Sequence, residues 1–254
     1  MTAKLYAFTC GRLRLPMGAL MAGMDGHMVV PVPAYLIVHP KGRVLFDTGL
    51  NPLLNTDITG YLGEFADAAA GFDFPAQEHI GSRLEAFDVD VDGIDLIVNS
   101  HLHLDHAGGN AQLPNARVLV QGRELATARA GATREYFAAD FETGQEFVEV
   151  DGEHDVFGDG TVTCFPTYGH TPGHQSVRVL TAGGSFVICA DACYLRRTID
   201  ELHLPGTTVD KSAALRTLHD LRRLEREGHR LLLGHDPDEW AKIPQAPDPV
   251  FVSD

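Results

Sequence analysis

Four potential metal ligands stand within six consecutive residues, directly after a mostly apolar run at 94–98 that predicts a buried strand. The ligands are His101, His103, Asp105 and His106, in the sequence NSHLHLDHAGGN at 99–110. In an extended segment the first three side chains point to one side, and a turn after the third can redirect the fourth towards a neighbouring ion. The Gly-Gly pair at 108–109 permits such a turn. The chain must therefore fold so that further ligands reach the end of this strand.

Three more candidate ligands stand singly, each after a predicted strand. His170 lies in the run YGHTPGH, Asp191 follows a strand that ends near residue 188, and His235 follows Leu-Leu-Leu-Gly. With the first four they make five histidines and two aspartates, a donor set that suits two divalent ions such as Zn²⁺. The four cysteines, at 10, 164, 189 and 193, lack metal-binding spacing and are expected to be reduced, buried and not ligands.

The rest of the chain alternates predicted strands and helices. A hairpin is expected over residues 34–47, a helix over 77–87, a strand over 118–120, a helix over 124–130, an antiparallel meander over 162–188 and a strand over 231–233. The clearest helix spans 211–227, with a cap at Asp210, a stop at Gly228 and an apolar stripe of Leu215, Leu218, Leu221 and Leu224. No linker or repeat interrupts the pattern, so residues 1–254 are expected to form one domain. Two sheets packed face to face with helices outside fit this pattern, and so does a doubly wound sheet.

Charge limits the partners of the chain. Its 254 residues include 20 Lys and Arg against 35 Asp and Glu, a net charge of −15. Such a surface repels phosphate backbones and anionic head groups, so neither nucleic acid nor a membrane is expected as a partner. No apolar run approaches the length of a membrane-spanning helix, and the first residues lack the apolar stretch of a signal peptide. We predict a cytoplasmic protein that acts on a small molecule.

The ligand motifs resemble those of the metallo-β-lactamase superfamily, through HLHLDH, GHTPGH, the lone Asp191 and Gly234-His235. Residues 46–49 resemble its early Asp-Thr-Gly strand end, so the resemblance covers almost the whole chain. It implies an α+β fold, an αββα sandwich of two mixed β-sheets packed face to face with helices outside and metals at one edge. It also implies that one ion is held by His101, His103 and His170, a second by Asp105, His106 and His235, with Asp191 bridging both. Asp47 is expected either to accept a hydrogen bond from a ligand imidazole or its loop, or only to cap a strand end.

Within the superfamily the chain resembles the N-acyl homoserine lactone lactonases, the quorum-quenching lactonases, through GHTPGHQS at 169–176 and DACY at 191–194. The resemblance implies a zinc-dependent lactonase, a carboxylic ester hydrolase that opens the lactone ring by attack of a metal-bridging hydroxide. Tyr194 would hydrogen-bond the substrate carbonyl, and Asp105 would carry a proton to the leaving alkoxide. An acyl chain would need an apolar channel, whose candidate wall residues are Met17, Met21, Met24, Tyr61, Phe65, Phe72 and Phe74. Core packing is the expected role of most of them.

Three alternatives remain open at this point. The substrate is another small lactone such as 4-pyridoxolactone, for which Arg196 or Arg197 would supply a cation, although surface solvation is the expected role of both. A glyoxalase II-like thioesterase shares the metal ligands, but the last residues after His235 contain only one cation, Lys242. A non-catalytic metal-binding or redox protein is a third reading, and the intact His103 argues for hydrolysis instead.

Overall fold

The first sheet is built by the N-terminal half of the chain. The computed structural model describes residues 2–131 and 135–250, apart from the side chains of Ala68 and Ala70. The six strands of this sheet, in spatial as well as chain order, are β1 (Lys4–Pro16), β2 (His27–His39), β3 (Gly42–Phe46), β4 (Leu96–Val98), β5 (Arg117–Gln121) and β6 (Phe147–Val150). Strands β1, β2 and β3 are antiparallel neighbours, whereas β3 to β6 run parallel. The sheet is therefore mixed.

The second sheet is built by the C-terminal half. Its strands, in spatial order, are β11 (Arg230–Leu233), β10 (Gly184–Ala190), β9 (Gln175–Thr181), β8 (Val162–Pro166) and β7 (His154–Asp155). Strands β8, β9 and β10 form the predicted antiparallel meander, and β11 joins β10 in parallel. This sheet is mixed as well.

Side-chain alternation explains why the sheets pack face to face. Along β2, Tyr35 and Ile37 enter a core between the sheets, whereas Leu36 enters a second core on the outer face of the first sheet. From the second sheet, Val177 and Phe186 join the core between the sheets. The central strands are thus buried on both faces, which is why β4 reads as an unbroken apolar run. The doubly wound alternative is wrong, and the αββα sandwich is confirmed.

Helices cover part of the outer face of each sheet, through Ile80 and Leu84 on the first sheet and Leu218 and Leu221 on the second. The α-helices are α1 (Met17–Leu20), α2 (Leu53–Thr56), α3 (Ile58–Leu62), α4 (Ile80–Glu85), α5 (Leu104–Ala107), α6 (Gly122–Arg129), α7 (Ala138–Phe141), α8 (Arg196–Glu201), α9 (Lys211–Arg226) and α10 (Pro237–Trp240). Short 3-10 helices span Gly63–Gly71, Ala76–Glu78, Val91–Gly93 and Asn110–Gln112. The helix expected over 77–87 is wrong in its extent, because His79 adopts an extended conformation and separates a 3-10 turn from α4. Among the described residues, no helix combines the length and the apolar character needed to cross a bilayer.

Helix α9 lies against the outer face of the second sheet, as its pattern predicts, and the Asp210 side chain caps its first turn. Leu218 and Leu221 are fully buried there. Leu215 is 37% exposed, so the predicted stripe is wrong at that end. Each step of three residues rotates a side chain by about 60° around the helix axis, so four leucines at this spacing spread over half the circumference. Ala214 and Thr217 complete the buried face instead.

Candidate metal centre and active site

The candidate ligands meet at one edge of the sandwich. Asp47 follows β3, the segment with His101 follows β4, His170 lies in the loop after β8, Asp191 follows β10 and His235 follows β11. The carboxyl ends of these strands lie at the same edge, so five segments that are distant in sequence deliver their polar side chains to one place. All five of these residues are buried.

Three histidines form the first ligand group. The Nε2 atom of His101 lies 3.0 Å from Nδ1 of His103 and 3.2 Å from Nε2 of His170, and the last two atoms are 3.1 Å apart. Each nitrogen either donates or accepts, so in a triangle at least one of the three pairs is mismatched. A tetrahedral zinc ion with bonds of about 2.0–2.1 Å would separate its ligands by roughly 3.3 Å. The triangle therefore suits a shared cation better than mutual hydrogen bonds.

Asp105, His106 and His235 form the second group. The Nε2 atoms of both histidines lie 3.6 Å from Oδ2 of Asp105. Both also lie 3.1 Å from Oδ1 of Asp191. The other oxygen of Asp191, Oδ2, lies 3.2 Å from Nε2 of His170. One carboxylate oxygen thus faces each group, which is the arrangement of a bridging ligand.

Unpartnered buried atoms also point to a cation. Nε2 of His106 and Oδ1 of Asp191 are both buried and lie 3.1 Å apart as an ion pair, but neither makes a hydrogen bond of acceptable geometry among the described residues. Two such atoms facing the same point, beside two groups of nitrogen and oxygen donors, fit a pair of divalent ions. The ligand set drawn from the sequence is brought together completely.

The electrostatics keep the first group ready to bind a cation. Burial is the main cause that lowers the pKa of His103 and His170 to about 3, and the pKa of His101 lies well below its usual value for the same reason. These imidazoles are neutral near pH 7, which is the form that binds metals. Burial raises the pKa of Asp191, but His106, His235 and His170 outweigh it and hold this pKa well below its usual range. Asp191 is therefore a carboxylate.

Hydrogen bonds on the far side of the imidazoles fix their orientation. Nδ1 of His106 lies 2.8 Å from Oδ2 of Asp47. Oδ1 of Asp47 also accepts a hydrogen bond from the Ser100 backbone N–H, and Oδ2 accepts one from the Ser100 hydroxyl. The predicted contact of Asp47 with a ligand imidazole and its loop is thus confirmed. Nδ1 of His235 donates to the backbone carbonyl of Pro31 at 2.8 Å. With Nδ1 so engaged, both rings direct Nε2 towards Asp191.

Two details of the predicted ligand loop are wrong. The extended segment ends at His103, because α5 begins at Leu104 and places Asp105 and His106 together on its first turn. That helical turn is why these two ligands belong to the second group. The glycines at 108 and 109 have ordinary negative φ angles, so they do not serve a tight turn. A Cβ at either position would overlap neighbouring backbone instead, that of residues 50 and 51 or of Thr48.

A cavity of about 460 Å³ opens onto both ligand groups. Its apolar wall comprises Leu13, Leu15, Pro16, Ala19, Leu62, Phe65, Ala69, Phe72, Leu104 and Phe137. Among the described residues that line it, none is Lys or Arg, whereas Glu135 adds a carboxylate 3.5 Å from Nε2 of His103. Arg196 and Arg197, the cations considered for an anionic lactone, do not line the cavity. They pair with Glu225 and Glu201 instead.

Tyr194 lies where the cavity meets the first ligand group. Its hydroxyl is 3.4 Å from Nδ1 of His170 and 3.3 Å from Oγ1 of Thr207, and its ring packs in an apolar cluster. Burial, reinforced by the charge of Asp191, raises the pKa of Tyr194 well above its usual value. The hydroxyl therefore remains a hydrogen-bond donor at neutral pH.

The cavity wall was only partly predicted. Phe65 and Phe72 line the cavity, but the other predicted channel residues do not. Met17, Met21 and Phe74 pack in a core cluster, Tyr61 is buried with its hydroxyl on Asp140, and Met24 is exposed. The sequence analysis missed Leu13 and Leu15, which alternate along β1, and Phe137, whose neighbours give no periodic pattern. It also missed Glu135, for which nothing in the local sequence signals a site.

Comparison with known proteins gives the family of this chain. A sequence profile described as the metallo-beta-lactamase superfamily matches residues 27–235. The chain belongs to this superfamily. An N-acyl homoserine lactonase, AttM, of Azorhizobium caulinodans is 33% identical over 262 residues, which cover 96% of this chain and 97% of the relative. An N-acyl homoserine lactonase of Bacillus thuringiensis is 27% identical over 240 residues, with 93% of this chain and 94% of the relative covered.

A solved superfamily structure matches the same architecture. It is an N-acyl homoserine lactone hydrolase with the product N-hexanoyl-L-homoserine bound at the catalytic metal center. Its TM-score with this chain is 0.88 at 26% identity, and the match covers 98% of this chain and 100% of the other. The resemblance of this chain to the lactonase branch of the superfamily is thus confirmed.

Proposed function

We propose that this protein hydrolyses the lactone ring of N-acyl homoserine lactones with two divalent ions, which we take to be Zn²⁺. One observation carries the proposal: a largely apolar cavity ends at two adjoining ligand groups, with the Tyr194 hydroxyl at the junction. A substrate with an apolar chain and a neutral ester at its end matches this cavity, because the chain would contact the apolar wall and the ester would reach the two ligand groups. The full-length similarity to proteins named N-acyl homoserine lactonases supports the same substrate class.

The residues divide into two sets of metal ligands and two groups that act on the substrate. His101, His103 and His170 would hold one ion, and Asp105, His106 and His235 would hold the other. Asp191, which has one oxygen facing each group, would be shared between them. Bound there, two divalent ions supply activated water near neutral pH and polarise a carbonyl. Nitrogen and carboxylate donors without sulfur suit zinc, although manganese or cobalt accepts the same set.

Tyr194 and Asp105 move or stabilise charge during the reaction. As water adds to the ester carbon, the former carbonyl oxygen gains negative charge, and the Tyr194 hydroxyl donates a hydrogen bond to it. The bond between that carbon and the ring oxygen then breaks. Asp105, which lines the cavity, accepts the proton of the attacking water and delivers it to the departing alkoxide. The product is an acyl homoserine whose new carboxylic acid ionises near neutral pH and releases a proton.

The wider setting follows from composition and architecture. Ligands come from both sheets, so we propose that residues 1–254 act as one hydrolase domain. The net charge of −15 argues against nucleic acid and anionic membranes as partners. All four cysteines are buried free thiols, as predicted, which favours a reducing compartment such as the cytoplasm.

A substrate panel tests the function. Purified metal-loaded protein is assayed by acid release with acyl homoserine lactones of several chain lengths, 4-pyridoxolactone and a glutathione thioester, and products are identified by mass. We expect turnover of the acyl homoserine lactones, with a product heavier than the substrate by one water. Preference for 4-pyridoxolactone or for the thioester, with no acyl homoserine lactone opened, would reject the proposal.

A further inference from the structure

One buried carboxylate, that of Glu124 on α6, joins the two segments that carry the first ligand group. We propose that Glu124 is a positioning residue: it sets the 101–103 segment and the 170–173 loop in register, so that His101, His103 and His170 converge on one ion. The inference rests on the metal site proposed above, and it concerns the affinity of that site rather than the choice of substrate.

Each oxygen of Glu124 serves a different segment. Oε1 accepts from the backbone N–H of Leu102, which lies between two ligands, at 3.2 Å and from the Tyr136 hydroxyl at 2.8 Å. Oε2 accepts from the Thr171 hydroxyl, next to His170, at 2.7 Å and from the backbone N–H of Gly173 at 3.0 Å. Among the described residues, Glu124 alone accepts backbone hydrogen bonds from both segments, whereas Asp191 faces only their imidazoles. A shift of either segment would therefore break hydrogen bonds at Glu124.

The packing leaves little room for such a shift. Glu124 is fully buried, and a Cβ on Gly173 would overlap its backbone and Cβ. The next residue of α6, Leu125, packs in an apolar cluster together with Leu102. The loop after His170 thus lies directly on the helix that carries the carboxylate. Groups that hydrogen-bond the ligands themselves commonly change metal affinity by about 10- to 100-fold when replaced, and Glu124 bonds the neighbours of the ligands, so the lower end of that range applies.

Glutamine cannot replace this carboxylate. Its amide has one oxygen and one NH₂ group, so either the position of Oε1 or that of Oε2 becomes a donor. A hydroxyl partner can rotate and accept, but a backbone N–H cannot. In the Glu124→Gln variant the NH₂ group must therefore face another donor, the backbone N–H of either Leu102 or Gly173. The variant can hold only one of the two segments in place.

Metal affinity gives the test, independently of lactone turnover. Two zinc dissociation constants are measured by chelator competition, and His101→Ala and His235→Ala assign each constant to its ligand group. We expect Glu124→Gln to weaken the binding of the ion in the first group by about 10-fold and to leave the affinity for the ion in the second group unchanged. Equal weakening of both ions, or of neither, would overturn the proposal.

Milder variants keep the test decisive if Glu124→Gln does not fold. Thr171→Val and Tyr136→Phe each remove one hydroxyl donor to Glu124, but only Thr171 belongs to a ligand-bearing segment. We expect Thr171→Val, but not Tyr136→Phe, to weaken the binding of the ion in the first group. Asp140→Asn is the control for a buried carboxylate, since its partners Asn51 and Tyr61 carry no ligands. The proposal is wrong if Tyr136→Phe or Asp140→Asn weakens the first ion as much as Thr171→Val does. A protein that binds both ions as expected but opens no lactone would reject the proposed function alone.

Discussion

Removal of the Tyr194 hydroxyl separates a catalytic role from a structural one. In Tyr194→Phe the ring keeps its place in the apolar cluster of Leu13, Leu20 and Val30. The lost contacts, to Thr207 and His170, measure 3.3 and 3.4 Å, at the long end of the range for hydrogen bonds. Their loss should cost the fold less than about 1 kcal/mol, a fall in Tm of no more than roughly 4 °C.

The effect on the reaction should be larger. A hydrogen bond to the developing oxyanion contributes about 1–3 kcal/mol to the transition state, so kcat/KM should fall roughly 5- to 150-fold. The assay compares lactone turnover, metal content and Tm of the same zinc-loaded preparation, with Tyr6→Phe on the outer face of the first sheet as the matched control. If Tyr194→Phe melts well below the parent protein yet turns over at full rate, Tyr194 is not a catalytic residue.

Three further variants or treatments test other parts of the account. Asp191→Ala should bind fewer than two ions and lose at least about 100-fold in kcat/KM, because it removes the ligand common to both groups; full metal content by elemental analysis would show that Asp191 is no bridge. A chelator should lower Tm by roughly 20 °C, since each of the two ions at 1,000 times its Kd stabilises the fold by about 4 kcal/mol, and an unchanged melting curve after verified metal removal would contradict this. Burial raises the pKa of Asp140 to about 7 against the usual 3.8, so the folded protein retains a proton that the unfolded chain releases. The free energy of unfolding should therefore fall as pH rises from about 4 to 7, and urea unfolding of Asp140→Asn should lack that part of the slope; an identical slope in both proteins would refute it.

The convergence of the candidate ligands was predictable because its signals are local. His101 and His235 each follow a short apolar run, and such runs form buried strands whose ends meet at one edge of a sheet. The positions of helix α9 and the meander followed from periodicity for the same reason. Periodicity does not assign Asp105 to the second group, because that assignment depends on α5 starting one residue after His103. Only the resemblance to the superfamily supplied it.

The cavity and the supports of the ligands depend on contacts between distant segments. Leu13, Phe65 and Phe137 line one wall, although more than 50 residues separate each from the next along the chain. Glu124 occupies the first turn of an ordinary short helix, and its partners come from Leu102 and Thr171. A buried glutamate in such a helix has no local signature, because glutamate is also common on exposed helix surfaces.

The central claim is that two ions bound by these seven residues make the protein a lactonase. The most direct measurement is a titration of the metal-free protein with zinc, in which hydrolysis of N-hexanoyl homoserine lactone is followed against the number of ions bound per chain. We expect no turnover without metal and a rate that reaches its plateau at two ions per chain. A plateau at one ion per chain, or full turnover by the verified metal-free protein, would contradict it.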